Sequence, residues 1–311
     1  MAPSTSTLYP RHPFNFRLSI RYLARSPLEP LDVVADGRYR RAVRLEDRPT
    51  LLELEAVGPP EQPSLELRLP GSLASPSLLL AAEGLVGRCF RLEEDPSGLD
   101  VVAAADPVFG KLLGALRGAR AILMPSPFEA LIWAILGQQI NVGFAYKLKR
   151  ALVEHYGDRL QHEGRTYYLF PEPARLAPLD LAELRELQFS RQKAEYVVAL
   201  SRLAADGAID WEELRALPTE EAVAELSRLK GVGRWTAEYV CMRGLGHRDV
   251  IPAADLGLRA AIGRAYGLGR TATEAEVRAL AELWAGWRSH AAFCWWYTIA
   301  PGLATELRIE K

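Results

Sequence analysis

The amino-acid sequence predicts an α+β chain, with a small antiparallel β-rich domain over residues 1–105 packed on an all-helical body over residues 106–311. Three observations predict it. Short runs in the first hundred residues alternate apolar and polar side chains between Pro, Gly and Asp breaks, the period of half-buried antiparallel strands. From Asp106 onward the apolar residues fall three and four apart, as on amphipathic helices. The 311 residues suffice for two domains, one large and one small.

The strand candidates are FNFRLSIRYL (14–23), RYRRAVRLE (38–46), TLLELEAV (50–57) and SLELRLPG (64–71). In the body, residues 128–157 read as two helices with a break between Gly137 and Val142. Further helical periods cover DLAELREL (180–187), RQKAEYVVALSRLAADG (191–207), TEEAVAELSRL (219–229), RWTAEYVCMRGL (234–245), LGLRAAIGRAYG (256–267) and TEAEVRALAELWAGW (273–287). Asp180, and Thr219 behind Pro218, are suited to cap two of these.

Composition excludes several classes. With 49% hydrophobic and 25% charged residues the chain is ordinary for a soluble globular protein. No apolar run approaches the roughly 18 residues of a membrane span, and MAPSTSTLYPRHPFNF lacks a basic-then-apolar export pattern, so a cytoplasmic protein is expected. Cys89, Cys241 and Cys294 are scattered and odd in number, which fits neither a disulfide framework nor a zinc or iron–sulfur set. The net charge of −1 means that any binding to nucleic acid must use a local basic surface.

The most informative segment is LSRLKGVGRWTAEYVCMRGLG, residues 226–246. One helical pattern ends at Leu229, glycines follow at 231 and 233, and a second helix starts near Trp235. Glycines beside a helix start expose backbone N–H groups that can hold a phosphate. Thr236 can add a hydroxyl, and Arg228, Lys230, Arg234, Arg243 and Arg248 surround the turn. Three readings compete: a plain turn with capping glycines, a dinucleotide phosphate loop, and a helix-hairpin-helix phosphate clamp. The second lacks a third glycine and follows a helix instead of a strand. Leu-x-Gly-Val-Gly-x-x-Thr-Ala fits the third at every position.

Residues 229–237, followed by Pro252 and Asp255, resemble the hairpin, Gly/Pro-rich loop and aspartate of base-excision DNA glycosylases. The chain is most similar to AlkA-type 3-methyladenine DNA glycosylase II within the helix-hairpin-helix (HhH-GPD) superfamily. The likeness extends over ILGQQINV (135–142) and WRSHAAFCWWYT (287–298). It implies an N-terminal domain like half of a TATA-binding protein and two helical subdomains with the active-site cleft between them.

Asp255 precedes a strong helix, where an aspartate serves as N-cap. It can also stabilise the oxocarbenium-like sugar of glycosidic cleavage; the resemblance implies this second role, and local sequence leaves both open. Asp249, before the Pro-bearing loop, is a weaker candidate. Bifunctional members of the superfamily carry a nucleophilic lysine two residues after the second hairpin glycine; Trp235 stands there, which implies hydrolysis without strand cleavage. The resemblance assigns Gln138, Trp235, Tyr239 and Trp296 to the base pocket, where aromatic faces suit a flipped and cationic base. Core packing is the alternative for such aromatics, and the reading taken for Trp284, Trp287 and Trp295.

Gln139 matches the wedge that fills the gap left by the flipped base, where relatives typically carry leucine. A polar loop between core helices is the alternative for GQQINV. Gly231, Gly233, Thr236 and Arg234 are expected at DNA phosphate. The backbone carbonyls of Ser227, Leu229 and Val232 match a sodium or potassium site, with no cofactor required for catalysis. The resulting expectation is a monomeric, monofunctional glycosylase that removes alkylated bases from double-stranded DNA in base excision repair. A non-catalytic DNA-binding or lesion-sensing module and a glycosylase for oxidised guanine are the alternatives.

Overall fold

The computed structural model describes residues 5–71, 75–300 and 303. Five strands, β1 (Thr5–Leu8), β2 (Val33–Ala35), β3 (Arg38–Leu45), β4 (Arg48–Ala56) and β5 (Leu65–Arg68), form an antiparallel sheet in the order β1-β5-β4-β3-β2. Two tight hairpins fix its register. Asp36-Gly37 joins β2 to β3 and Glu46-Asp47 joins β3 to β4, and all four residues have positive φ, as two-residue hairpin loops require.

The helices nearest the N-terminus are α1 (Phe16–Leu23), α2 (Pro76–Cys89), α3 (Gly98–Ala105) and α4 (Pro107–Ala115). The body continues with α5 (Pro127–Gly137), α6 (Val142–Tyr156), α7 (Pro173–Leu176), α8 (Leu181–Glu186), α9 (Arg191–Ala205), α10 (Trp211–Ala216), α11 (Thr219–Ser227) and α12 (Arg234–Val240). A π-helical turn, Cys241–Leu245, follows α12; then come α13 (Leu256–Ala265), α14 (Glu274–Ala281), a 3₁₀ turn Glu282–Trp284 and α15 (Arg288–Ile299). No described helix is long and apolar enough to cross a membrane.

The predicted α+β layout holds, with local differences. FNFRLSIRYL forms helix α1, not a strand. Its alternation also places Phe16, Ile20 and Leu23 four and three apart, and the Asn15 side chain caps the helix by accepting from Leu18 N at 3.0 Å. Within the helical body, β6 (Arg159–His162) and β7 (Arg165–Tyr168) make a hairpin through Glu163-Gly164, both at positive φ. At α11, Pro218 takes the N-cap position and Thr219 is the first helical residue, its hydroxyl 3.0 Å from His247 Nδ1. Asp180 caps α8 as expected, in a reciprocal capping box with Glu183.

Hydrophobic burial divides the molecule into two main cores. One packs α1 and α2 on the sheet through Phe16, Ile20, Leu54, Leu67, Val86 and Phe90. The other fills the helical body, and Tyr22 of α1, Val102 of α3 and Phe109 of α4 belong to it. A small third cluster seals the outer face of the sheet against the β6–β7 hairpin through Ala42, Leu51, Tyr167 and Leu169. Cys89, Cys241 and Cys294 are all free and buried.

Charge also crosses the seam between sheet and helices. Arg41 on β3 is buried and bonds Asp32 at 2.8 Å and Glu129 on α5 at 2.5 Å. Lys149 on α6 reaches Glu29 at 2.8 Å. Removing Glu129 leaves the buried Arg41 guanidinium with Asp32 as its remaining carboxylate partner among the described residues. Glu129→Leu is therefore expected to cost about 3–5 kcal/mol in urea unfolding. Glu154→Leu, which breaks the more exposed Arg150–Glu154 pair on α6, should stay within about 1 kcal/mol of the parent.

Candidate active site

Asp255 is the N-cap of α13: its Oδ1 accepts from Leu258 N at 2.8 Å. The same carboxylate receives two indole N–H groups. Trp296 Nε1 on α15 donates to Oδ1 at 3.0 Å, and Trp235 Nε1 on α12 donates to Oδ2 at 3.2 Å. Capping and a place beside two tryptophan indoles therefore coincide in one half-buried side chain. Three N–H donors hold the carboxylate, and among the described residues no Lys, Arg or His pairs with it.

The same two tryptophans flank Tyr239. The Trp235 and Tyr239 ring centroids are 5.9 Å apart, and those of Tyr239 and Trp296 are 5.7 Å apart. Tyr239 and Trp296 are nearly buried, while Trp235 is half-buried. Burial pushes the Tyr239 hydroxyl up to about 12, so it stays a neutral phenol at physiological pH. Trp284, Trp287 and Trp295 are buried in the main core, in keeping with the packing role read for them. Asp249 is occupied elsewhere, accepting from Gly286 N and Arg288 Nη1 at 2.8 Å each.

The hairpin joins α11 to α12. Gly231 has φ +89, and a Cβ there would lie 2.6–2.8 Å from atoms of the Tyr196 ring, so glycine is required twice over. Gly233 is the exposed N-cap of α12, with nothing within 4 Å of the position a Cβ would take. Two side chains expected at phosphate face elsewhere. Thr236 is buried, and its hydroxyl accepts from Gln138 Nε2 at 3.0 Å. Arg234 is bound to Glu238 and Glu220 at 2.9 Å each, and Arg278 shares Glu238 at 2.9 Å.

The basic field around the turn is correspondingly thinner than the residue count implied. Arg243 is buried with its guanidinium 5.6 Å from the Tyr22 ring centroid, and Arg248 lies 4.1 Å from that of Trp287. Arg228 pairs with Glu225. Lys230 is exposed and makes no ion pair among the described residues.

Gln138 ties two elements together instead of pointing freely into the pocket: its Nε2 donates to Gly231 O at 2.9 Å as well as to Thr236. Gln139 is exposed at φ +56, a left-handed conformation that costs a non-glycine residue about 1–2 kcal/mol. Both line a groove of about 1310 Å³ between the α5–α6 break, the α8–α9 region and the hairpin. Asp255 and the aromatic cluster lie outside this groove, which adjoins them through Gln138 and the hairpin.

Lys193, unremarked in the sequence, lies at the groove and donates to Ile135 O and Gln138 O at 2.7 Å each. Its signal was a lysine on the buried stripe of α9, beside Ala194 and Val197. Of the three proposed alkali-ion ligands, Leu229 O already accepts Val232 N–H at 3.0 Å and keeps a second lone pair. Ser227, Leu229 and Val232 all line the groove.

The HhH-GPD superfamily base excision DNA repair protein model matches residues 132–286, and the AlkA N-terminal domain model matches residues 5–124. The chain is 31% identical to DNA-3-methyladenine glycosylase 2 of Escherichia coli, over 94% of its own length and 96% of the relative's. It is 36% identical to DNA-3-methyladenine glycosylase of Bacillus subtilis, over 67% and 68% of the two chains. The solved 3-methyladenine DNA-glycosylase of Archaeoglobus fulgidus superimposes with a TM-score of 0.82 at 29% identity, covering 94% of this chain and 98% of that one.

The hairpin geometry makes a direct prediction. Gly231→Ala should lower stability by about 1–3 kcal/mol in thermal unfolding, through strain and the Tyr196 ring together. Adding Tyr196→Ala should relieve the steric part alone, so the double variant should be less destabilised than the sum of the two single ones.

Proposed function

Because the chain belongs to the HhH-GPD superfamily of base excision DNA repair proteins and carries the AlkA N-terminal domain, we propose that it is a monofunctional DNA glycosylase for alkylated bases. Its substrate is double-stranded DNA with a 3-methyladenine-type lesion, bound by a cytoplasmic monomer. The observation that carries this reading is the Asp255 carboxylate, held by one backbone and two indole N–H groups beside three aromatic rings.

The chemistry follows from that arrangement. A base alkylated at a ring nitrogen is cationic, and aromatic faces attract it once it is turned out of the duplex. Such a base leaves with the electron pair of the C1′–N bond, so little general-acid help is needed. Positive charge then develops on the sugar, where Asp255 stabilises it, and water adds at C1′. Asp255 orients that water and accepts its proton. With an indole at position 235, no side-chain amine stands there to attack the sugar.

The remaining assignments follow the same reading. The exposed N–H groups around Gly231 and Gly233, with Lys230, bind phosphate, and Gln139 fills the vacated stack. The carbonyls of Ser227, Leu229 and Val232 are suited to a structural sodium or potassium ion, which supplies only positive charge near the phosphate. A non-catalytic DNA clamp would need the glycines and basic residues alone. The indole pair aimed at Asp255 has no use in it.

Asp255→Asn is expected to reduce base release from methylated duplex DNA by about 10²–10³-fold while an abasic-analogue duplex still binds. Trp296→Phe keeps an aromatic ring and removes one donor, and should give a smaller loss, on the order of tenfold. Retained base release in Asp255→Asn overturns the assignment. Borohydride treatment during turnover should trap no covalent protein–DNA adduct, and an adduct would overturn the monofunctional reading.

A further inference from the structure

We propose that Lys193 is a positioning residue for the DNA wedge: through the Gln138 carbonyl it holds the α5–α6 turn in the form that projects Gln139. This rests on the wedge role proposed for Gln139. The last carbonyls of a helix have no partner within it. At the end of α5, Ile135 O accepts the Gln138 N–H at 3.4 Å and also the Lys193 ammonium at 2.7 Å; beyond the helix the same ammonium bonds Gln138 O at 2.7 Å. A cation is also favoured at this end of the helix dipole.

The second bond decides the turn. Gln138 has φ −59 and ψ 129, and Gln139 follows at φ +56, matching the first three central dihedrals of a type II turn. Rotating the peptide between them converts such a turn to type I, in which the second central residue relaxes to negative φ. That rotation would swing the Gln138 carbonyl away from Lys193 and re-aim the Gln139 side chain. Gln139 is not glycine and prefers the relaxed form, so something must hold the strained one. Lys193 is the group that grips the rotating carbonyl, while the Gln138 side chain is anchored separately on Gly231 and Thr236.

Burial draws the Lys193 amine down to about 8. The charged groups lining the same groove are Arg185 and Glu186 on α8 and Arg228 and Lys230 in the hairpin, and none pairs with Lys193. On α9 itself, Arg191 and Glu195 pair with each other. The amine is therefore charged at pH 7 and loses its proton as pH rises through about 8. Its folded value lies below the unfolded one, so in this window its contribution to folding stability rises with pH while its grip on the turn weakens. Positioning and stability thus move in opposite directions.

The test uses the full chain and a duplex with a tetrahydrofuran abasic analogue opposite 2-aminopurine, whose fluorescence reports insertion at the site. Lys193→Met should weaken both the affinity and the fluorescence change on the order of tenfold. In a Gln139→Ala background the same substitution should cost nothing further. Between pH 7 and pH 9 the wild-type signal should fall, whereas Lys193→Arg, whose charge does not titrate there, should hold it. The wild-type and Lys193→Arg profiles need only these two folded proteins. Identical pH profiles, an undiminished cost of Lys193→Met beside Gln139→Ala, or an unchanged signal in Gln139→Ala each overturn the proposal. Failure of the wild type to release methylated bases, with the insertion signal intact, would instead overturn the proposed function and leave Lys193 in its role.

Discussion

The site is organised by the demand of one carboxylate for hydrogen-bond donors. Asp255 begins α13, and its oxygens are supplied by that helix's own Leu258 N–H and by indoles from α12 and α15. Meeting this demand fixes where three helices stand relative to one another. The indoles that reach the carboxylate also flank Tyr239 with their rings tilted against it, so the carboxylate and the aromatic cluster share the same two residues. Under the proposed function, a cationic base held at those rings would lie beside the Asp255 carboxylate.

Around this centre the polar bonds run between elements distant in sequence. Gln138 links the break after α5 to the hairpin more than ninety residues later, and Lys193 secures the same break from α9. The sheet domain is joined to the body by the Arg41–Glu129 pair, with Lys149 and Glu29 beside it. Parts that must act together on DNA are in this way held by directional bonds, with apolar packing supplying the bulk of the cohesion.

The division into a sheet and a helical body was legible in the sequence because the change of hydrophobic period is a local property. FNFRLSIRYL shows the limit: the spacings of Phe16, Ile20 and Leu23 serve a helix as well as its alternation serves a strand, and Asn15 decides. Asp255, the aromatic residues and the two glycines could be named from motif and resemblance. The partners of polar side chains could not. Arg234 and Thr236 look like phosphate ligands in the linear sequence, yet Glu220, fourteen residues from Arg234, and Gln138, ninety-eight residues from Thr236, claim them. Nor does position in the sequence disclose that the Trp235 and Trp296 edges meet one carboxylate, since that depends on helix packing.

The placement of the three thiols has a chemical consequence. Burial raises Cys89 to about 11 and Cys241 to about 12, and pushes Cys294 higher still. Electrophiles react with the exposed thiolate form of cysteine, and none of these three is exposed or ionised at neutral pH. The reagents that methylate purines would also methylate an accessible thiolate, and this fold offers them none. Its packing thus leaves its cysteines inert toward the chemical stress that creates the proposed substrate.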